Sequence, residues 1–170
     1  MANRIVRIES ITIENFKNVT QGTLDFENKR KDYKASVLGL YGQNGSGKTA
    51  LIDAIQLLKF ALCGKVIPKK YADYINVDAE NATLKYEFVV RYAEIVYNVW
   101  YQFSMRKVID ESATSSDETI NANVTTKVEM FDEVLSFSYE SKTDKMRKAP
   151  LIDTRTEDLF APKAKMQELV

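Results

Sequence analysis

The chain has 170 residues, 45% hydrophobic and 11% aromatic, which suits one domain with a genuine core. Its 24 basic and 24 acidic residues cancel, so no bulk field advertises a nucleic acid or an anionic membrane as partner. One cysteine, Cys63, and no histidine exclude an intrachain disulfide, a zinc finger and any histidine-dependent triad or general base.

In chain order, the first residues lack an apolar signal core, and the longest helical pattern is interrupted by Asp53, Gln56 and Lys59. Nothing therefore predicts export or a bilayer span, and a cytoplasmic location is the default expectation. Residues 4–16 read as extended, with Ile11 and Ile13 alternating with Thr12 and Glu14. A second short strand follows at residues 23–26, with residues 19–22 as the turn, so a hairpin is expected to feed the sheet. Residues 27–34 form a polar, lysine-rich connector. Residues 36–41, Ser-Val-Leu-Gly-Leu-Tyr, have the short apolar run of a strand buried in a parallel sheet.

Immediately after it stands Gly42-Gln43-Asn44-Gly45-Ser46-Gly47-Lys48-Thr49, a complete Gly-x-x-x-x-Gly-Lys-Thr phosphate-binding pattern between strand and helix. Such a loop holds a polyphosphate by converging backbone N–H groups, which side chains at Gly42, Gly45 and Gly47 would obstruct. Lys48 brings a point charge to the β- and γ-phosphates, and the Thr49 hydroxyl suits a bridging Mg²⁺. The amides at the helix start, Thr49 and Ala50 included, add the positive end of the helix dipole.

The helix, residues 49–62, carries Leu51, Ile55, Leu58 and Leu62 at helical spacing, with Ala54 and Ala61 small enough for close approach to a sheet. Gly64 is placed to cap it, and Pro68 discourages continuation. Cys63, near the end of this apolar helix, reads as a buried structural thiol. Residues 69–76 carry a weak signal for a second short helix.

From residue 83 the period becomes two. Leu84, Tyr86, Phe88 and Val90 face one way, and after a turn near Ala93 so do Ile95, Tyr97, Val99, Tyr101 and Phe103. Residues 110–123 are polar with almost nothing to bury and predict a mobile loop. Val124, Thr126, Val128 and Met130 then alternate, as do Leu135, Phe137 and Tyr139 beyond Asp132-Glu133, so a meander of about four strands is expected. The aromatic stripe of Tyr97, Tyr101, Phe103, Phe137 and Tyr139 is read as sheet packing in preference to a base-stacking platform. Past Glu140 the chain is polar and basic without a strand pattern.

A nucleotide hydrolase also needs a carboxylate at the end of a second apolar strand. Arg106-Lys107 breaks the strand before Val108-Ile109-Asp110-Glu111, and Leu151-Ile152-Asp153 directly follows Pro150, so neither supplies it. No Asn-Lys-x-Asp guanine reader is present, which favours adenine.

A β-meander after the loop and helix, in place of alternating strands and helices, resembles the ATP-binding-cassette class of ATPase heads, in particular SMC/RecF-like and OLD-like proteins of DNA maintenance and phage defence. The resemblance rests on residues 11–19, on residues 38–49 with Leu51-Ile52-Asp53-Ala54-Ile55, and on the antiparallel strands after the helix. It implies an α/β P-loop lobe with a mixed sheet, one main helix and an antiparallel meander, binding ATP and Mg²⁺. Residues 1–82 would hold the hairpin, loop and helix, residues 83–140 the meander and residues 141–170 a polar tail of a single N-terminal lobe in a longer protein. By the same resemblance Lys17 and Asn18 lie beside the base and ribose, and Lys48 is the catalytic lysine. The signature serine-glycine motif, the Mg²⁺-binding acid strand and a γ-phosphate-reading glutamine have no match, so a C-terminal lobe or partner head is implied. DNA or an effector nuclease is a further partner that the family suggests. Two alternatives stay open: a self-contained P-loop NTPase or kinase, and an interaction module with a vestigial loop.

Overall fold

The computed structural model describes residues 4–26, 39–110 and 126–155. Six strands form one sheet: β1 (Arg4–Phe16), β2 (Val19–Asp25), β3 (Asn81–Tyr92), β4 (Ile95–Ile109), β5 (Thr126–Glu140) and β6 (Lys145–Asp153), in the order β2-β1-β3-β4-β5-β6. One helix, α1 (Lys48–Leu62), and a 3-10 helix, Lys69–Tyr74, lie between β2 and β3.

Every strand pairing is antiparallel, which corrects the expected mixed sheet among the described residues. The first half of the strand expected at residues 36–41 lies outside the described residues, and its described half, Gly39 to Tyr41, is exposed and pairs with no described strand. Among the described residues the sheet therefore contains no parallel pair.

The alternation of β3 and β4 pairs inward residues directly: Leu84 opposes Phe103, Tyr86 opposes Tyr101 and Phe88 opposes Val99. Their turn places Ala93 at φ 53. Tyr101, Phe103 and Phe137 of the aromatic stripe are buried, and Tyr97 and Tyr139 stand 5.9 Å apart between ring centres. The hydrophobic core runs from these strands to Ile11, Ile13 and Phe16 of β1 and to one face of α1.

That face of α1 is Ala50, Leu51, Ala54, Leu57 and Leu58. The expected stripe was rotated from it, since Ile55 is 36% and Leu62 61% exposed while Leu57 is fully buried. Burying Leu57 contributes about 1.5–3 kcal/mol. Ala54 permits the approach that lets the buried Tyr86 hydroxyl donate to the Ala54 carbonyl at 2.8 Å. The helix stops in a Schellman arrangement: Gly64, at φ 58, donates to Ala61, and Lys65 donates to Phe60. Cys63, the C-cap, is exposed, which overturns its reading as a buried thiol; the cap turns it out of the apolar face.

Three further expectations are corrected. The first hairpin turns at Lys17 and Asn18, not at residues 19–22, because β2 already begins at Val19, opposite Phe16. Residues 126–140 form one strand, not two. Between the pairs Gln102↔Val134 and Ser104↔Phe131, β5 spends one residue more than β4, and Asp132 adopts φ 52. This β-bulge flips the side-chain phase, so that Val128 and Met130 before it and Leu135 after it all pack against one core. The fourth meander strand is β6, within the segment expected to be a polar tail. β6 is an edge strand, where lysines and a proline are tolerated and discourage edge-to-edge association, and so its alternation is hidden. Ala149 is its buried anchor, and Lys148 lies 4.1 Å over the Trp100 ring. The loop expected at residues 110–123 lies outside the described residues except for Asp110.

Candidate phosphate-binding site

The Gly-Lys-Thr loop sits where α1 begins, against the β1–β2 turn. Gly47 is the N-cap of α1 in the left-handed conformation, φ 85 and ψ 0, and no side chain caps the helix. Leu51 N–H to the Gly47 carbonyl, 3.1 Å, closes the first turn of the helix. The amides of Lys48, Thr49 and Ala50 therefore precede the intrahelical ladder and point out of the helix start. An anion is the natural acceptor for them.

Glycine is demanded here by geometry. A Cβ on Gly47 would lie 2.8 Å from Val19 Cγ2, and both Gly45 and Gly47 have φ 85. The Lys48 ammonium is folded over the loop, donating to the Gly42 carbonyl at 2.7 Å, the Gln43 carbonyl at 2.8 Å and Ser46 Oγ at 3.0 Å. Three neutral oxygens hold a full positive charge beside the outward amides, and a polyphosphate would give that charge a better partner. The donor set thus fits a phosphate chain. Thr49 is exposed beside it, while the Ala50 side chain is buried, so only the amide of Ala50 can serve a ligand. A recess of about 250 Å³ opens between hairpin and loop, walled by Ile11, Ile13, Leu24 and Leu40 as well as Gly47 and Lys48. Its aliphatic walls do not suit phosphate, which belongs with the amides.

Of the two turn residues expected beside the nucleoside, Asn18 reaches the loop and Lys17 turns toward α1 and the 3-10 helix. Asn18 Nδ2 donates to the Gly45 carbonyl. Lys17 pairs with Asp53 of α1, and its ammonium lies 3.9 Å over the Tyr74 ring. No role for Asp53 or Tyr74 is read from the sequence: Asp53 registers as an interruption of the apolar helix and as part of the residues that carry the resemblance, and Tyr74 belongs to the weakly signalled residues 69–76. The one available signal was a carboxylate one turn beyond Thr49 on a helix that begins at a phosphate loop. Burial, with the Asp53 carboxylate and Tyr74 adding to it, raises the pKa of the neighbouring Tyr71 phenol.

The two rejected acids are engaged elsewhere. Asp110 is buried and pairs with Lys69 at 2.6 Å and Lys127 at 3.6 Å. Asp153 pairs with Arg155 at 2.7 Å, and that hydrogen bond holds its carboxyl below the ordinary range. Among the described residues no group of three or more cysteine, aspartate or glutamate side chains is arranged to hold a metal, and no helix is long and apolar enough to cross a membrane.

An open sheet, one helix and a glycine-rich loop at its start define a nucleotide-binding class, and the chain belongs to the AAA domain family, whose profile matches residues 10–167. Within that class it is similar to the N-terminal region of ABC-type, SMC/RecF-like P-loop ATPases. It is 45% identical over 53 residues to the DNA replication and repair protein RecF of Azobacteroides pseudotrichonymphae genomovar. CFP2, covering 31% of this chain and 13% of that protein. It is 38% identical over 80 residues to the DNA replication and repair protein RecF of Deinococcus radiodurans, covering 47% of this chain and 20% of that protein. The matched part is thus a fifth or less of the length of either relative. No solved structure matches the chain. Family membership implies use of a nucleotide with Mg²⁺.

Proposed function

We infer that this chain binds Mg-ATP through residues 42–50 as the N-terminal lobe of an SMC/RecF/OLD-like ATPase head in a longer cytoplasmic protein. The single observation that carries the reading is the set of outward amides at the start of α1 with the Lys48 ammonium folded beside them. Lys48 would neutralise the β- and γ-phosphates, Thr49 would offer its hydroxyl to Mg²⁺, and the turn that carries Asn18 would border the nucleoside, with Lys17 engaged by Asp53 behind it. A bound Mg²⁺ would supply charge neutralisation between those phosphates. Hydrolysis requires a water-positioning acid, and among the described residues Asp110 and Asp153 do not offer it, because both are tied to their own cations. In this reading a C-terminal lobe or partner head completes the site, and ATP acts as a switch by binding one assembly state more tightly than the other. The likeness to RecF supports DNA maintenance as the setting and DNA as a partner of the whole protein.

Titration calorimetry tests this. Saturable Mg-ATP binding with negligible turnover is expected, and Lys48→Ala should weaken it by about 10–150-fold, the worth of one hydrogen-bonded charge. A flat titration of the folded wild-type chain would leave only an interaction module with a vestigial loop. Turnover by the chain alone would point instead to a self-contained NTPase.

A further inference from the structure

The β1–β2 turn touches the phosphate loop at both of its left-handed glycines. Asn18 Nδ2 donates to the Gly45 carbonyl, and Val19 Cγ2 fills the space beside Gly47. Yet the turn is costly to hold by itself, because Asn15 at φ 53 and Lys17 at φ 55 both occupy the left-handed region without being glycine. Something outside the turn must fix it.

Two elements do so from the opposite side. The segment after the 3-10 helix runs alongside the turn: Lys17 N–H donates to the Tyr74 carbonyl at 2.5 Å, Asn76 N–H donates to the Asn15 carbonyl at 2.9 Å, and Phe16 bridges to Ile75. Phe16 is fully buried, with Tyr74 edge-on to it at 5.9 Å. The Lys17 side chain then closes the contact, its ammonium paired with Asp53 and seated over the Tyr74 ring at 3.9 Å. Lys17 is 21% and Asp53 19% exposed, so this pair is partly shielded from water. Asp53 stands one helical turn beyond Thr49. A closed ring results, from the loop through α1 to Asp53, across to Lys17, along the turn to Asn18, and back to Gly45.

We propose that Asp53 and Tyr74 are positioning residues that brace the β1–β2 turn against the phosphate loop, so that two side chains with no contact to the nucleotide help set the loop's affinity for polyphosphate. The inference rests on the phosphate-site reading above. Its physical content is preorganisation: a loop whose Gly45 carbonyl is pinned spends less binding energy on ordering its amides. Lys17 is thereby committed to Asp53 and Tyr74, and it serves the loop through Asn18. If the ion pair merely stabilised the fold, its loss would lower the melting temperature and leave affinity alone.

The test measures Mg-ATP and Mg-tripolyphosphate binding by calorimetry for the wild-type chain and for Asp53→Asn, Tyr74→Leu, Tyr74→Phe, Asn18→Ala and the Asp53→Asn/Asn18→Ala pair. Asp53→Asn should weaken both ligands equally, by about 5–10-fold, since a loop effect is blind to the base. Tyr74→Leu should weaken both by about 2–5-fold through the lost cation–π contact, and Tyr74→Phe, which keeps the ring, should restore wild-type affinity within about twofold. The double variant should bind no more weakly than the weaker single variant, because both substitutions cut the same ring. Should Asp53→Asn fail to fold, the Tyr74 and Asn18 variants carry the same comparison. Unchanged affinities in the folded variants, additive losses in the double variant, or a loss confined to ATP would each overturn the brace while leaving the phosphate site intact. A wild-type chain that binds neither ligand would remove the site and the brace together.

Discussion

Replacing Gly47 by alanine separates two costs that the loop geometry imposes. The N-cap backbone stands at φ 85 and ψ 0, where an L-residue loses roughly 1–2 kcal/mol relative to glycine. The new methyl would also lie 2.8 Å from Val19 Cγ2, and moving Val19 off its rotamer costs about 0.5–1.5 kcal/mol more. Gly45 is the internal control. It has the same φ of 85, but a Cβ there meets nothing within 4 Å, so Gly45→Ala carries the backbone cost alone. Urea unfolding followed by the fluorescence of Trp100, the only tryptophan, should rank the chains as wild type above Gly45→Ala above Gly47→Ala, at unchanged m-value. Adding Val19→Ala to each variant, and to wild type for reference, should bring Gly47→Ala to the Gly45→Ala level. Equal losses for the two glycines would refute the Val19 contact. No loss in either would refute the left-handed loop.

Other consequences follow from burial and hydrogen bonding. Leu57→Ala should cost about 2–5 kcal/mol, since the side chain is fully buried, whereas Leu62→Ala, 61% exposed, should stay within about 0.5 kcal/mol; thermal and urea unfolding distinguish them. Tyr86→Phe removes a buried hydroxyl that donates to the Ala54 carbonyl and should cost about 0.5–1.5 kcal/mol at neutral pH. Burial raises the pKa of the Tyr86 phenol well above its ordinary value of 10.0, so the stability it contributes is fully present below that value and is lost as pH climbs beyond it. Tyr86→Phe should therefore flatten part of the alkaline fall in stability. The Tyr139 hydroxyl, donating to Asp144 at 2.6 Å, lowers the carboxyl pKa of Asp144, with the Lys145 amide assisting. Tyr139→Phe should move that titration back toward the ordinary carboxylate range, as an NMR pH series would show.

The legible parts of this chain were those whose signal is local. Eight consecutive residues spell the phosphate loop, and the glycines at 45 and 47 do take the backbone conformations that glycine alone adopts cheaply. Period two announced β3 and β4 because both bury one face against the same core. Gly64 announced the end of α1 through its left-handed capping geometry. Lys17 and Asn18 are assigned to the nucleoside only through resemblance to a family; nothing in their spacing from Gly42 announced that Asn18 would meet Gly45 or that Lys17 would pair with Asp53.

What the amino-acid order settled by itself was the existence of a glycine-rich loop at a helix start, an amphipathic helix and a run of alternating strands, because each depends on residues within a turn or two of one another. Tertiary structure decided everything that needs a distant partner. The bulge at Asp132 realigned two strand phases that looked like separate strands, the sheet edge recruited a lysine-rich segment as β6, and packing selected Leu57 over Ile55 as the inward face of α1. The junction of Lys17, Asp53 and Tyr74 belongs to the same category: charge and ring come from three elements far apart in the chain, and only the folded backbone places an ammonium between a carboxylate and an aromatic face.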